Sequence, residues 1–183
     1  MLKKFLFLGV ATLAMAATSA IAADASRARL LVPMSTSASD DSQPDETSSV
    51  SGYGLHYVSS MGIGAGVSSV AVEIGTVKTT ANFLDISYTF GDSFTTQLAF
   101  GYPYGGDLEA EGSDIEFKSI SGQALSLNFG YDFGGFEALV GFMSESTKQK
   151  YEMNLEILGT TLTTEGEYER TALHTSAGIG FTF

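Results

Sequence analysis

The feature that most constrains this chain is a period of two that runs through almost its whole length. After the first 22 residues, no apolar run approaches the ~20 residues a membrane-spanning helix needs. In residues 170–183, Leu173, Thr175, Ala177, Ile179, Phe181 and Phe183 fall on one face of an extended chain. Ala172, His174, Ser176, Gly178, Gly180 and Thr182 fall on the other. Leu84, Ile86, Tyr88 and Phe90 alternate with Asp85, Ser87 and Thr89, and Gly91-Asp92 turns the chain into Phe94, Thr96, Leu98, Phe100 and Tyr102. The same phrase recurs as Leu125, Leu127, Phe129, Tyr131 and Phe133, then Gly134-Gly135, then Phe136, Ala138, Val140 and Phe142. Apolar alternation punctuated by glycine-bearing turns is the pattern of antiparallel hairpins.

Residues 1–22 carry Lys3 and Lys4, an apolar run beginning at Phe5 and the small-residue end Ala20-Ile21-Ala22, the plan of a cleaved secretory signal peptide. The mature chain, residues 23–183, is then one domain. It has no cysteine, so neither a disulfide nor a thiolate metal site is available. Without the two leader lysines, 7 basic residues face 21 acidic ones, a net charge of −14 by counting (7 − 21), which argues against nucleic acid as a partner. The acids gather between the alternating segments: Asp40, Asp41, Asp45 and Glu46; Asp107, Glu109, Glu111, Asp114 and Glu116; Glu165, Glu167 and Glu169. They predict water-exposed loops or strand tips, which could hold divalent cations through hard oxygen ligands. No EF-hand spacing accompanies them, and no protein-bound metal or other cofactor is expected.

An exported chain that crosses lipid without helices must close its strands into a barrel, because hydrocarbon offers no partner to a free backbone amide. Counting back from Phe183, strands are predicted at residues 161–183, 136–158, 117–133, 93–105, 77–90, 63–74 and 50–60. Single-chain bacterial barrels have an even number of strands, which assigns the eighth to residues 27–34 and leaves residues 35–49 as a first external loop. Tyr88, Phe90, Phe94, Tyr131, Phe133, Phe136, Phe181 and Phe183 gather at the turn end as one aromatic girdle, and Phe100, Tyr102 and Tyr104 reach the opposite interface. The expected fold is an all-β, eight-stranded antiparallel up-and-down transmembrane barrel, monomeric, with both ends in the periplasm.

The ending Ser176-x-Gly178-x-x-Phe181-x-Phe183 resembles the C-terminal signature of bacterial outer-membrane barrels. The mature chain as a whole is similar to the small eight-stranded group that includes the OmpA transmembrane domain, OmpX and OmpW. The resemblance implies residence in the outer membrane among lipid and lipopolysaccharide, and reading of Ser176, Gly178, Phe181 and Phe183 by the barrel-assembly machinery. It implies no single activity, since such barrels serve as anchors, surface proteins and narrow conduits.

If the aromatic face meets lipid, the other face lines the lumen: Gly54, His56, Asp85, Ser87, Thr89, Gln97, Ala99, Gly101, Ser126, Asn128, Gly130, Asp132, Glu137, His174, Ser176 and Gly178. Inward charges need partners, so Asp85, Asp132 and Glu137 are expected to pair with Arg29, Lys118 and Arg170 in a polar network. An eight-stranded barrel is just wide enough for its side chains, although many of these residues are small. One set could carry chemistry: a hairpin centred near Gly159 and Thr160 would bring Glu145 opposite His174, two residues from Ser176. His174-Thr175-Ser176 resembles the His-x-Ser of outer-membrane lipid A deacylases. That motif lies on an earlier strand, faces lipid and has its acidic partner after it. Catalysis is therefore not the expectation; the expected role is structural or surface interaction through acidic loops, with a narrow conduit for small or apolar solutes as the alternative. Cell fractionation tests the foundation of this reading. The protein should appear in the outer membrane and show a heat-dependent gel shift, and recovery as a dispersed periplasmic protein would overturn the barrel.

Overall fold

The computed structural model describes residues 25–39, 48–110, 115–157 and 160–183. The expected signal peptide lies outside them, as do Asp40, Asp41, Asp45, Glu46, Glu111 and Asp114. The described residues form eight strands: β1 Arg27–Ser39, β2 Ser48–Val58, β3 Ile63–Ile74, β4 Val77–Phe90, β5 Phe94–Ala110, β6 Ile115–Asp132, β7 Phe136–Ile157 and β8 Thr160–Thr182. Each pairs antiparallel with its sequence neighbour, and β8 pairs with β1 to close the ring. At the closure Phe183 and Ser26 exchange backbone hydrogen bonds of 3.0 and 3.1 Å.

The alternation sorts the side chains by solvent. Ile63, Leu84, Ile86, Phe94, Tyr131, Phe136, Val140, Leu173 and Phe181 lie exposed on the outside, while Arg29, Gln97, Asn128, Glu137 and Arg170 are buried within. A soluble protein does not expose so continuous an apolar band. A bilayer makes the arrangement favourable, because lipid replaces water against the aromatic and branched side chains. At the narrow end Phe136 stands edge-on to Phe181 with centroids 6.0 Å apart, and Tyr131 meets Phe133 at 4.8 Å. The turn between β6 and β7 falls on Gly134 and Gly135, with φ of 91° and 102°. Asp132 accepts hydrogen bonds there from both glycine amides and, at 2.7 Å, from the Thr182 hydroxyl. The Thr182 hydroxyl first, then the glycine amides, hold the Asp132 carboxyl below the ordinary carboxylate range. Its contribution to stability is therefore complete at neutral pH and fades only as the pH falls through that lowered value.

One expectation is corrected: β1 does not end near residue 34 but continues to Ser39, crossing Pro33 by a bulge in its pairing with β8. Of the two places open to the acids, the described ones take the strands: Asp107, Glu109, Glu116, Glu165, Glu167 and Glu169 stand on β5, β6 and β8, and Gly75 and Thr76 alone join β3 to β4. The β7–β8 ladder runs unbroken from Phe136↔Phe181 to Ile157↔Thr160. Above the apolar band its outer face carries opposite charges, with Lys148 2.5 Å from Glu169 and 3.2 Å from Glu167, and Lys150 3.3 Å from Glu167. Water and salt screen such exposed pairs, so each adds little to stability, but they let the hairpin remain a strand pair in water.

The wall is not uniform. β1 and β2 pair over five rungs, ending at Leu31↔Gly54, and β5 and β6 over eight, ending at Gly101↔Ala124. At the rung two positions above each ending, a proline would face a glycine: Pro33 with Gly52, and Pro103 with Gly122. A proline has no N–H to continue the ladder. Gly52 and Gly122 hold φ of 147° and 132°, and a Cβ on either would strike the neighbouring strand's backbone, at Ser69 and Ser146. The barrel is a full ring below and two four-stranded sheets above, β2–β5 and β6–β1, separated by two opposite seams.

The terminus supplies a test independent of burial. Phe136 packs against both Phe133 and Phe181, whereas Phe183 is 71% exposed and enters no ring pair among the described residues. Burial of one such ring is worth at most about 1.5–3 kcal/mol. Packing alone therefore makes Phe136→Ser the more damaging change. An assembly signal reverses the order: deleting Phe183 should lower folded protein in the outer membrane more than Phe136→Ser does, by quantitative immunoblot of unheated samples. Equal or smaller loss at Phe183 would mean that it is only an anchor.

Candidate functional site: the filled lumen and its seam cavity

The lumen is filled in layers. Nearest the Gly134-Gly135 turn, Arg29 forks onto Glu137, with Nε to Oε2 at 2.8 Å and Nη2 to Oε1 at 2.6 Å. The same guanidinium donates to Thr95 at 2.8 Å and Thr89 at 3.3 Å, and the Thr95 hydroxyl donates to Glu137. Arg27 closes this end by donating at 3.2 Å to the carbonyls of Ala25 and Asp92. β1 supplies the arginines and β7 the carboxylate, and both side chains of the pair are fully buried. The planar fork of arginine suits a bidentate carboxylate contact that lysine could not make.

Above this plug Asn128 donates to Gln97 and Gln97 to Ser87, each at 3.0 Å. His56 follows, its Nε2 3.8 Å from Asp85. Higher still, Glu145 lies 2.7 Å from Arg170 and 3.2 Å from His174. Arg170 also donates across the barrel to Thr79, at 2.9 Å to its carbonyl and again to its hydroxyl. Apolar groups complete the upper filling: Val70, Val72 and Ile74 in one cluster, Ala81, Phe83 and Ala124 in another, with Met143 touching both.

The expected network of Asp85, Asp132, Glu137 and Arg170 is thus several separate groups. Glu137 belongs to Arg29, Arg170 to Glu145, and Asp85 lies beside His56, a partner that counting cations did not suggest. Asp132 sits at the rim beside the Gly134-Gly135 turn, the alternative that its place flanking the turn leaves open, and Lys118 points outward to Glu116 at 2.8 Å and Glu152 at 3.0 Å. The His174, Ser176 and Glu145 set is brought together only in part. The register places Met143, not Glu145, opposite His174, and Glu145 opposite Ala172, because the last rung of the hairpin is Ile157↔Thr160. Among the described residues neither ring nitrogen of His174 has a hydrogen-bond partner, so the base does not hold the Ser176 hydroxyl. Ser176 pairs with Gly141 and, with Gly178, Phe181 and Phe183, lies on the run that closes the barrel against β1. Among the described residues no three His, Asp or Glu side chains gather closely enough to hold a metal ion.

A cavity of about 40 Å³ interrupts the filling. It lies where β1 and β2 part, between Leu31 and Pro33 on one side and Tyr53 and Gly54 on the other, and reaches His56, His174, Asn128, Ser126 and Met143 inside. Tyr53 faces lipid, so the cavity extends from the lumen to the seam. The opposite seam is packed shut: a Cβ on Gly101 would meet Ala124 and Phe83, and one on Gly106 would meet Ile120. Sequence reading did not single out Tyr53, Met143, Pro103, Gly52 or Gly122. The available signal was a proline and a glycine at the same separation in the first and third hairpins.

The fold and its apolar belt define a transmembrane β-barrel of the small, eight-stranded outer-membrane type. Its structural neighbours are bacterial outer-membrane proteins. Outer membrane protein AlkL, solved in DMPC bilayers, has a TM-score of 0.52 at 12% identity, covering 87% of this chain and 90% of that one. OprG of Pseudomonas aeruginosa gives a TM-score of 0.48 at 17% identity over 87% and 94% of the two chains. E. coli outer membrane protein W gives 0.48 at 16% over 88% and 98%. No protein-family model matches the sequence, and no curated protein matches it.

The periplasmic plug can be tested directly. Glu137→Ala strands a buried guanidinium and should cost about 3–5 kcal/mol, whereas replacing both partners with apolar residues, Arg29→Met with Glu137→Leu, should recover most of it. Urea unfolding in detergent, followed by the heat-dependent gel shift, reads both variants. Equal stability of the single and double variants would show that the ion pair does not anchor this layer.

Proposed function

We propose that this barrel is a lateral conduit, taking a small apolar or amphipathic molecule between its upper lumen and the bilayer through the seam between β1 and β2. The carrying observation is the combination of a lumen sealed by Arg29 and Glu137 below with a wall split at Pro33 and Gly52 above. A solute in the upper lumen meets charge in the periplasmic direction and an apolar crevice in the sideways direction. Leu31, Val70, Met143 and Tyr53 suit a hydrocarbon, and the route needs no bond-making step, in keeping with an unassembled His174, Ser176 and Glu145.

A second reading, surface interaction, is favoured by the charged β6–β8 extension, whose Lys118, Lys148 and Lys150 alternate with Glu116, Glu152, Glu167 and Glu169 just above the belt. There it would meet lipopolysaccharide, with divalent cations as possible bridges.

Uptake into reconstituted vesicles separates the two. A fluorescent apolar probe should equilibrate faster with the barrel present than without it, while small ions should not conduct. Gly54→Leu should reduce the rate at least severalfold, because its side chain enters the cavity where a Cβ has 3.3 Å to the nearest atom of His56. Gly105→Leu, beside the packed seam, serves as the control and should leave the rate unchanged. Uptake equal to that of empty vesicles would remove the conduit and leave the surface role.

A further inference from the structure

The seam cavity contains both histidines of the chain, and each stands against a carboxylate on its Nε2 side, His174 at 3.2 Å from Glu145 and His56 at 3.8 Å from Asp85. Both are buried, 2% and 7% exposed, and the Nδ1 atoms of both lack a hydrogen-bond partner. From this geometry we infer that the cavity is a recognition site for a hydroxyl group at the end of an apolar molecule. The inference rests on the lateral-conduit reading and names the class of molecule carried.

Glu145 is matched by Arg170 at 2.7 Å and stands on the Nε2 side of His174, while Nδ1 of that ring has no hydrogen-bond partner among the described residues. A hydroxyl can pair with an imidazole nitrogen as donor or as acceptor. Asn128 spends its amide N–H on Gln97, which leaves its oxygen as an acceptor beside Gly141, where Ser176 and Leu31 also converge. The polar atoms around the cavity, the Ser126 and Ser176 hydroxyls among them, therefore suit a small neutral group that can both donate and accept. A carboxylate would meet Glu145 and Asp85 as like charges, and a pure hydrocarbon would leave the buried imidazole nitrogens unpaired, which is costly in a dry interior.

The size and position of the cavity agree with such an end-on ligand. A volume of about 40 Å³ admits a hydroxyl and a methylene or two, or a few waters, but not a whole chain. The rest of the ligand would lie between Pro33 and Tyr53, against lipid. Gly54 and Gly66 make room for the His56 ring, since a Cβ on either would come within 3.3 and 2.9 Å of it.

Having only two histidines makes the test clean. The barrel, labelled with ¹⁵N-histidine and placed in lipid nanodiscs, is titrated with 1-decanol, decane or decanoate, and the ring nitrogens are followed by long-range ¹H–¹⁵N correlation. Decanol should shift Nδ1 of His174, and to a lesser degree that of His56, while decane and decanoate at the same membrane loading should not. In vesicles decanol should be taken up at least tenfold faster than decane, and His174→Phe should bring that ratio close to one. Equal shifts from decane or decanoate, or none from decanol, overturn hydroxyl recognition. If decane and decanol cross equally fast, the conduit stands without this selectivity; if neither exceeds empty vesicles, the conduit itself fails. Should His174→Phe not show the heat-dependent gel shift of a folded barrel, the wild-type titration decides alone.

Discussion

Everything in this structure depends on keeping backbone amides paired where there is no water. Hydrocarbon leaves a strand no alternative to its neighbours, and the ring closes through β1 and β8 to remove the last free edges. Pro33 and Pro103 withdraw a donor from that ladder, opposite glycines held at positive φ, and they do so only after the lower ring is complete. Side chains then hold the two upper sheets together across the lumen. Arg170 on β8 donates to the Thr79 carbonyl, and Gln149 on β7 donates at 3.0 Å to the Thr80 carbonyl on β4.

The division of the cations follows from the same solvent boundary. Arg27, Arg29 and Arg170 point inward and are buried, whereas Lys78, Lys118, Lys148 and Lys150 lie exposed above the belt among glutamates. A guanidinium can satisfy several acceptors at once, and so it tolerates a narrow polar interior. An ammonium is strongly hydrated and stays where water reaches it.

The proposed conduit rests on unequal filling. Two identical devices open the wall, but Phe83, Ala124 and Ile120 refill one seam, while the other keeps a cavity beside Tyr53. In the proposed conduit the lower plug would refuse passage along the axis and the upper cavity would offer a sideways route. The histidines, with Ser126, Asn128 and Ser176, give that crevice polar atoms that would hold a functional group rather than merely dissolve a chain.

The eight strands, their inward and outward faces and the girdle were legible in the sequence, because a period of two is local and the choice between lipid and lumen is made residue by residue. Glu137 and Arg170 were recognisable as inward charges for the same reason. Which charge meets which was not. Arg29 and Glu137 are 108 positions apart, and His174 meets Glu145 one inward position away from the alignment expected of the hairpin. Composition left loop and strand tip both open for the acids, since exposed ion pairs can prolong a ladder into water as readily as a loop can end it. Pro33 was visible as a possible strand end, yet its effect needed Gly52 at the facing rung and a bulge that passes β1 onward along β8. Local alternation sets which way a side chain points; register and barrel closure set what it touches, and these depend on contacts that no stretch of the chain contains by itself.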